Sequence, residues 1–95
     1  MGTRRAGPEK FALLPNYPNP FNPTTLIRYE VAEQVHIRLE VYDALGRQVA
    51  ALVDEQKNPG KYSVVFDASG LSSGVYLYRM QTDAYVKSRQ MVLAR

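Results

Sequence analysis

Apolar and polar residues alternate strictly along residues 35–42, within a predicted strand at 35–43. The apolar positions are Val35, Ile37, Leu39 and Val41, and the positions between them are His36, Arg38, Glu40 and Tyr42. A period of two predicts a strand with one face on a core and the other in water, the usual state of an antiparallel sheet. A helix would need a period of 3.6 residues, so this pattern restricts the chain to folds with a one-sided β-sheet.

The same reasoning predicts seven short strands in one domain. They are expected at residues 10–14, 24–31, 35–43, 47–53, 61–67, 75–82 and 85–93, with turns or loops at 43–46, 54–60, 68–74 and 83–84. Residues 50–52 also suit a helix. The strand at 24–31 is expected to direct Ile27, Tyr29 and Val31 inward. The strand at 61–67 is expected to direct Tyr62, Val64 and Phe66 inward. Short strands separated by turns every 8–12 residues predict an all-β, seven-stranded antiparallel immunoglobulin-like β-sandwich.

Residues 14–23 hold four of the six prolines. Proline lacks a backbone N–H and pushes the preceding residue toward extended geometry, so this segment is expected to be a rigid loop. Tyr17 and Phe21 are predicted to insert from it into the core. Residues 1–9 are rich in glycine, proline and charge, and are interpreted as a flexible linker or an added tail. The sandwich is expected to cover residues 10–95.

Composition excludes several classes of protein. The chain has no cysteine, hence no disulfide or thiolate metal site, and its charge of +3 is spread without a basic run. Nucleic-acid binding needs a concentrated basic patch and is not expected. No apolar run approaches the length of a membrane helix, and no signal peptide is visible. If the protein is exported, its signal is expected upstream of Met1.

Catalysis is not expected. His36 is the only histidine and has no nucleophile motif beside it. The nine acidic residues form no calcium-loop spacing, although a calcium site among the loops stays an alternative. Four of the acidic residues are interpreted as turn residues at strand ends: Asp43, Asp54, Asp67 and Asp83. The sequence therefore predicts no catalytic residue, no cofactor and no metal site.

The seven tyrosines allow two interpretations. In the favoured interpretation, the rings fill the core and the hydroxyl groups reach its edge; this is expected of Tyr29, Tyr62, Tyr76 and Tyr78. In the other, exposed rings stack on sugars and the chain is a carbohydrate-binding module. Tyr42 is the expected outward ring, Tyr85 is undecided, and both are the candidate glycan contacts.

Four segments together resemble a known family. They are residues 17–23, 41–49, 66–79 and 87–93, and in that order they resemble the type A C-terminal sorting domain of the type IX (Por) secretion system. They are also similar to the immunoglobulin-like domain of flagellar hook-capping proteins. The resemblance covers about residues 11–95.

The resemblance implies a non-enzymatic, monomeric module at the end of an exported protein, behind an upstream cargo such as a hydrolase or adhesin. An outer-membrane translocon would recognise the module after passage through the periplasm, and the cargo would be released or attached to cell-surface components. Carried over from the family, the recognition residues are Gly74, Tyr76, Lys87, Met91, Val92 and Leu93. Cleavage of the module and its retention as an anchor stay open. A carbohydrate-binding module or a structural spacer of an extracellular enzyme is the alternative.

A last strand at a sheet edge would also offer unpaired backbone groups to a partner strand.

Overall fold

A computed structural model describes residues 7–95, which form seven β-strands and no helix. The strands are β1 (Ala12–Leu13), β2 (Thr24–Val31), β3 (Val35–Tyr42), β4 (Gln48–Lys57), β5 (Gly60–Asp67), β6 (Gly74–Gln81) and β7 (Val86–Leu93). They build one sheet in the order β1-β2-β5 and a second in the order β4-β3-β6-β7, with every pair antiparallel. The predicted seven-stranded sandwich is confirmed.

The core lies between the two sheets and follows the predicted alternation. In β2 and β3 the inward side chains of Ile27, Val31, Ile37, Leu39 and Val41 are fully buried. Further large side chains complete the core: Leu13, Phe21, Tyr29, Phe66, Tyr76, Tyr78, Met80, Met91 and Leu93. Tyr62 and Val64 pack against this cluster from β5. Burial of this apolar surface is the main force that stabilises a domain without disulfides.

Several predicted strand ends were wrong. β4 continues to Lys57, so the turn expected at 54–60 is confined to Asn58 and Pro59. Residues 54–57 are polar but pair with the start of β3, where Val35 faces Lys57. Residues 50–52 are strand rather than helix, and two register shifts in the β3–β4 ladder explain their irregular pattern. β1 is shorter than expected, and β7 begins at Val86.

The proline-rich loop inserts one aromatic ring into the core, not two. Phe21 is 2% exposed and packs near Phe66, whereas Tyr17 is 74% exposed. The prediction for Tyr17 was wrong because its backbone N–H and C=O both pair with Leu26. Residues paired in this way share a sheet face, and Leu26 lies on the outer face of β2. Tyr17 therefore points to solvent.

The chain enters the sandwich at one end, which we call the entry end. Gly7 lies there against the β4–β5 turn, since a Cβ added to it would be 3.2 Å from the Gly60 nitrogen. The ladder between β2 and β5 runs from Val31↔Gly60 at this end to Thr24↔Asp67 at the other. The opposite end, here the distal end, contains the 43–46 turn, the 68–73 loop and the end of β7.

Candidate functional site

The six recognition residues that the family resemblance indicates all lie on the hairpin of β6 and β7. In its register Gly74 faces Leu93, Tyr76 faces Met91 and Val75 faces Val92. The side chains of Tyr76, Met91 and Leu93 are buried, at 6%, 0% and 1% exposure. Gly74, Lys87 and Val92 face solvent. Only these last three are accessible to a partner of the folded domain.

Gly74 lies in a groove of 510 Å³ at the distal end. The groove runs between the β3–β4 turn and the β5–β6 loop and is lined by Asp43, Leu45, Arg47, Leu71, Gly74 and Tyr76, among others. Gly74 has a φ of +150°, and no heavy atom lies within 4 Å of where its Cβ would be. The Tyr76 hydroxyl donates to the Ser72 carbonyl over 2.6 Å and so holds the loop wall in place.

Asp43 organises the other wall of the groove. Its Oδ1 accepts hydrogen bonds from the N–H groups of Leu45 and Arg47, both at 2.9 Å, and its Oδ2 accepts one from the Arg47 Nε at 2.8 Å. These contacts, led by the Arg47 N–H, hold the pKa of Asp43 below its usual value. The turn carries Leu45 at its tip with 78% of its surface exposed. The distal end therefore presents a rigid apolar tip beside a groove.

The predicted turn role is confirmed for two of the four aspartates. Asp67 accepts the Ser69 N–H at the start of the β5–β6 loop, as Asp43 does in its own turn. Asp54 lies within β4 and contacts the His36 side chain, so its assignment to a turn was wrong. In the last connection Thr82, rather than Asp83, accepts the backbone N–H of Ala84.

The proline-rich loop covers the outer edge of β7 at its C-terminal part. The Val92 N–H donates to Asn19 Oδ1 at 2.9 Å, and the Val92 carbonyl accepts the Phe21 N–H at 2.9 Å. The Ala94 N–H donates to the Phe21 carbonyl at 3.0 Å. The proline-rich loop thus caps the end of β7. β7 is the last strand of its sheet, and within residues 7–95 no strand forms backbone hydrogen bonds with its outer edge at residues 86–90. β1 lies close to β7 without pairing with it, and the Leu13 carbonyl accepts a hydrogen bond from Arg89 Nε.

The chain matches the family model of the secretion system C-terminal sorting domain over residues 16–94. It belongs to this family. The domain is accordingly a non-catalytic sorting module of type IX secretion, the route by which such proteins reach the cell surface or the extracellular medium. No curated protein and no solved structure matches the chain.

The two candidate glycan contacts of the sorting domain each have one ring face occupied. The Tyr42 hydroxyl donates to Glu40 and accepts from Arg79, whose guanidinium lies 4.8 Å from the ring centre. The Glu40 hydrogen bond is the main cause that raises the pKa of Tyr42. Tyr85 stacks on Phe11 with 5.5 Å between ring centres, and burial raises its pKa.

Sequence reasoning missed the most exposed aromatic feature of the sorting domain. Tyr17, Leu26 and Val65 form a row across the outer face of the three-stranded sheet, because Leu26 pairs with each of the other two. Tyr17 and Val65 are 74% and 61% exposed. Leu26 and Val65 occupy outward alternate positions of β2 and β5, so strand periodicity is the signal that could have found them. No nearby residue indicates that Tyr17 joins them.

Within residues 7–95 no cluster of three or more histidine or acidic side chains has the arrangement of a metal site. His36 contacts only Asp54 among acidic groups, and both side chains are more than half exposed. The described part of the chain also contains no helix able to span a membrane.

Proposed function

We propose that this sorting domain carries an upstream cargo, of the hydrolase or adhesin class, to the bacterial cell surface. An outer-membrane translocon recognises it through the distal end and β7. The domain then keeps the cargo attached to cell-surface components. The observation that carries this proposal is the separation of the entry end from the distal end.

That separation suits a module that a translocon binds at one end while the cargo is attached at the other. A cargo joined before Gly7 would lie beside the β4–β5 turn. Two of the family-like segments, residues 41–49 and 66–79, meet in the groove at the distal end. The other two, residues 17–23 and 87–93, meet where the proline-rich loop caps β7. A cargo at the entry end leaves the distal groove and the capped end of β7 clear.

The six recognition residues divide into two roles in this proposal. Gly74, Lys87 and Val92 contact the translocon directly, because they are accessible. Tyr76, Met91 and Leu93 act through the core, by holding the hairpin in shape. Substituting Lys87 or Val92 would lower sorting without destabilising the domain, whereas truncating a buried member would lower both sorting and stability.

Surface display of a fused reporter tests the proposal in a host that has the translocon. Deletion of residues 85–95 should trap the reporter in the periplasm, but it also removes Met91 and Leu93 from the core. Leu45→Asp is a sharper change because the side chain is 78% exposed. We expect it to reduce display without lowering the thermal midpoint, since an apolar anchor in an interface is worth about 2 kcal/mol or more.

Val65→Asp is the matched control, being an exposed apolar residue on the opposite sheet. It should leave display unchanged. Full display of Leu45→Asp and of Val92→Asp together would refute recognition through the distal end.

The Tyr17 row favours a second candidate function, the binding of polysaccharide by the outer face of the three-stranded sheet. An exposed ring next to apolar side chains can stack on a sugar. Retardation in gels that contain glycans should then be lost in Tyr17→Ala. If Tyr42→Ala or Tyr85→Ala abolishes it instead, the glycan lies on the other sheet. Migration unaffected by any of a range of polysaccharides would eliminate this candidate.

A further inference from the structure

The free part of the β7 edge is defined by the direction of its backbone groups. Both the N–H and the C=O of Val92 point away from β6, since they bond to the proline-rich loop. In an antiparallel ladder this direction alternates from residue to residue. The backbone groups of Val86, Ser88 and Gln90 therefore also point outward. Within residues 7–95 they have no hydrogen-bond partner.

The proline-rich loop sets the limit of this free edge. Phe21 forms a short parallel bridge with Leu93. Its N–H and C=O bond to the backbone of Val92 and Ala94, so the outer edge beyond Gln90 is already paired. Pro20 precedes it and has no N–H to offer. An added strand can therefore occupy residues 86–90 and must end where the loop begins, which fixes its register.

The charges of β7 decide what kind of strand fits. Lys87 and Arg89 alternate with the outward backbone positions, and β7 contains no acidic residue. Neither cation forms an ion pair within the described residues; Arg89 instead donates to the Leu13 carbonyl. A second copy paired antiparallel about Ser88 would set Lys87 against Arg89. Like charges directly opposite each other destabilise a sheet, and lysine on an edge strand hinders self-pairing.

We propose that residues 86–90 bind, by β-strand addition, an extended partner segment with acidic side chains at two alternate positions. The segment becomes the fifth strand of the sheet β4-β3-β6-β7. Its backbone bonds to Val86, Ser88 and Gln90, and its acidic groups face Lys87 and Arg89. This inference rests on the proposed function, in which the translocon supplies the segment.

Capped seven-residue peptides are suitable probes, one alternating threonine with glutamate and one alternating threonine with lysine. Amide spectra of the labelled domain should show saturable shifts with the glutamate peptide at up to about 1 mM, the range of weak specific binding. Exchange of the Val86, Ser88 and Gln90 amides should slow when the peptide is bound. The lysine peptide should have no effect.

Ser88→Pro removes one outward N–H and spares the bonds to β6, a position that edge strands tolerate. Affinity should fall about tenfold, as expected for one backbone hydrogen bond, while Ser88→Ala should bind like the parent. Lys87→Glu leaves the backbone intact and sets one anion beside Arg89, so the variant should lose its preference for the glutamate peptide over the lysine peptide. It keeps the test decisive even if the proline variant does not fold.

Absence of saturation with the glutamate peptide would overturn the inference. So would an affinity of Lys87→Glu for the glutamate peptide equal to that of the parent, shifts confined to the distal groove, or dimerisation of the domain through β7. The proposed function is judged separately by surface display. Normal display of the parent domain without peptide binding would reject strand addition alone, whereas peptide binding without display would reject the sorting role.

Discussion

Thr25 and Asn16 hold the proline-rich loop through a buried polar network, and Thr25→Val tests its contribution. Thr25 is 2% exposed; its hydroxyl donates to the Pro18 carbonyl at 2.8 Å and accepts from Asn16 Nδ2 at 3.0 Å. Valine keeps the shape and deletes both bonds. Asn16 Nδ2 still donates to the Pro18 carbonyl at 3.2 Å, so the two atoms that lose Thr25 each keep a partner. At about 1 kcal/mol a bond, the free energy of unfolding should fall by about 2 kcal/mol.

Urea unfolding followed by circular dichroism measures this loss, which corresponds to a midpoint lower by about 1–2 M for a domain of this size. Thr24→Val is the matched control, because the neighbouring Thr24 is exposed. Exchange of the Val92 amide should also accelerate in Thr25→Val, since the loop that covers it is less firmly held. A loss below about 0.5 kcal/mol, or an equal loss in Thr24→Val, would refute the assigned role of the network.

Three further changes test other contacts. Tyr78→Phe deletes the buried bond from its hydroxyl to the Leu14 carbonyl at 2.7 Å and should cost about 1 kcal/mol in urea unfolding; an unchanged midpoint would contradict this. Gly74→Ala should cost about 1–3 kcal/mol through backbone strain at φ +150° alone, and a neutral result would show that the turn relaxes. Because the pKa of Asp43 is lowered, its charged form stabilises the fold above about pH 4, and this contribution is lost as the pH falls through the folded-state pKa. The difference in thermal midpoint between the parent and Asp43→Asn should therefore shrink from pH 7 to pH 3, and a constant difference would contradict the assignment.

The strands that the sequence predicted best are those with one face fully buried. β2 was predicted with its observed bounds, Thr24–Val31, and β3 differed by one residue at its end. In these strands a slip of one residue would expose every apolar side chain, so the local pattern and the fold agree. Periodicity is therefore sufficient where burial is one-sided and the strand lies inside a sheet.

The errors arise where a distant partner decides the local structure. The end of β4 is determined by the length of β3, because Lys57 pairs with Val35, and not by the polarity of residues 54–57. Tyr17 was assigned to the core on its apolar ring. Its direction depends on the bridge to Leu26, which no nearby residue indicates. Both errors concern edge positions, where the alternation of side chains is weak.

The predicted recognition residues lie on one hairpin, β6 and β7, but the sequence did not separate exposed residues from core residues among them. Met91, Val92 and Leu93 are contiguous and apolar, so the local pattern does not show which of them face the core. In the structure, strand alternation buries Met91 and Leu93 and leaves Val92 37% exposed. The cap on β7 was also unpredicted, because Asn19 and Val92 meet across 73 positions of chain. Composition cannot indicate a contact at such a separation.

That cap links the proline-rich loop to the sorting role. Phe21 is anchored in the core by its ring and covers the end of β7 with its backbone. A loop without this anchor would leave Val92 and Ala94 unpaired and lengthen the free edge beyond Gln90. A free edge of that length would include the apolar Val92, and it would pair with other strands irrespective of their charge. Residues 17–23 and residues 87–93, which both resemble the family, thus contribute to the same surface. The first segment determines how much of the second a partner can reach.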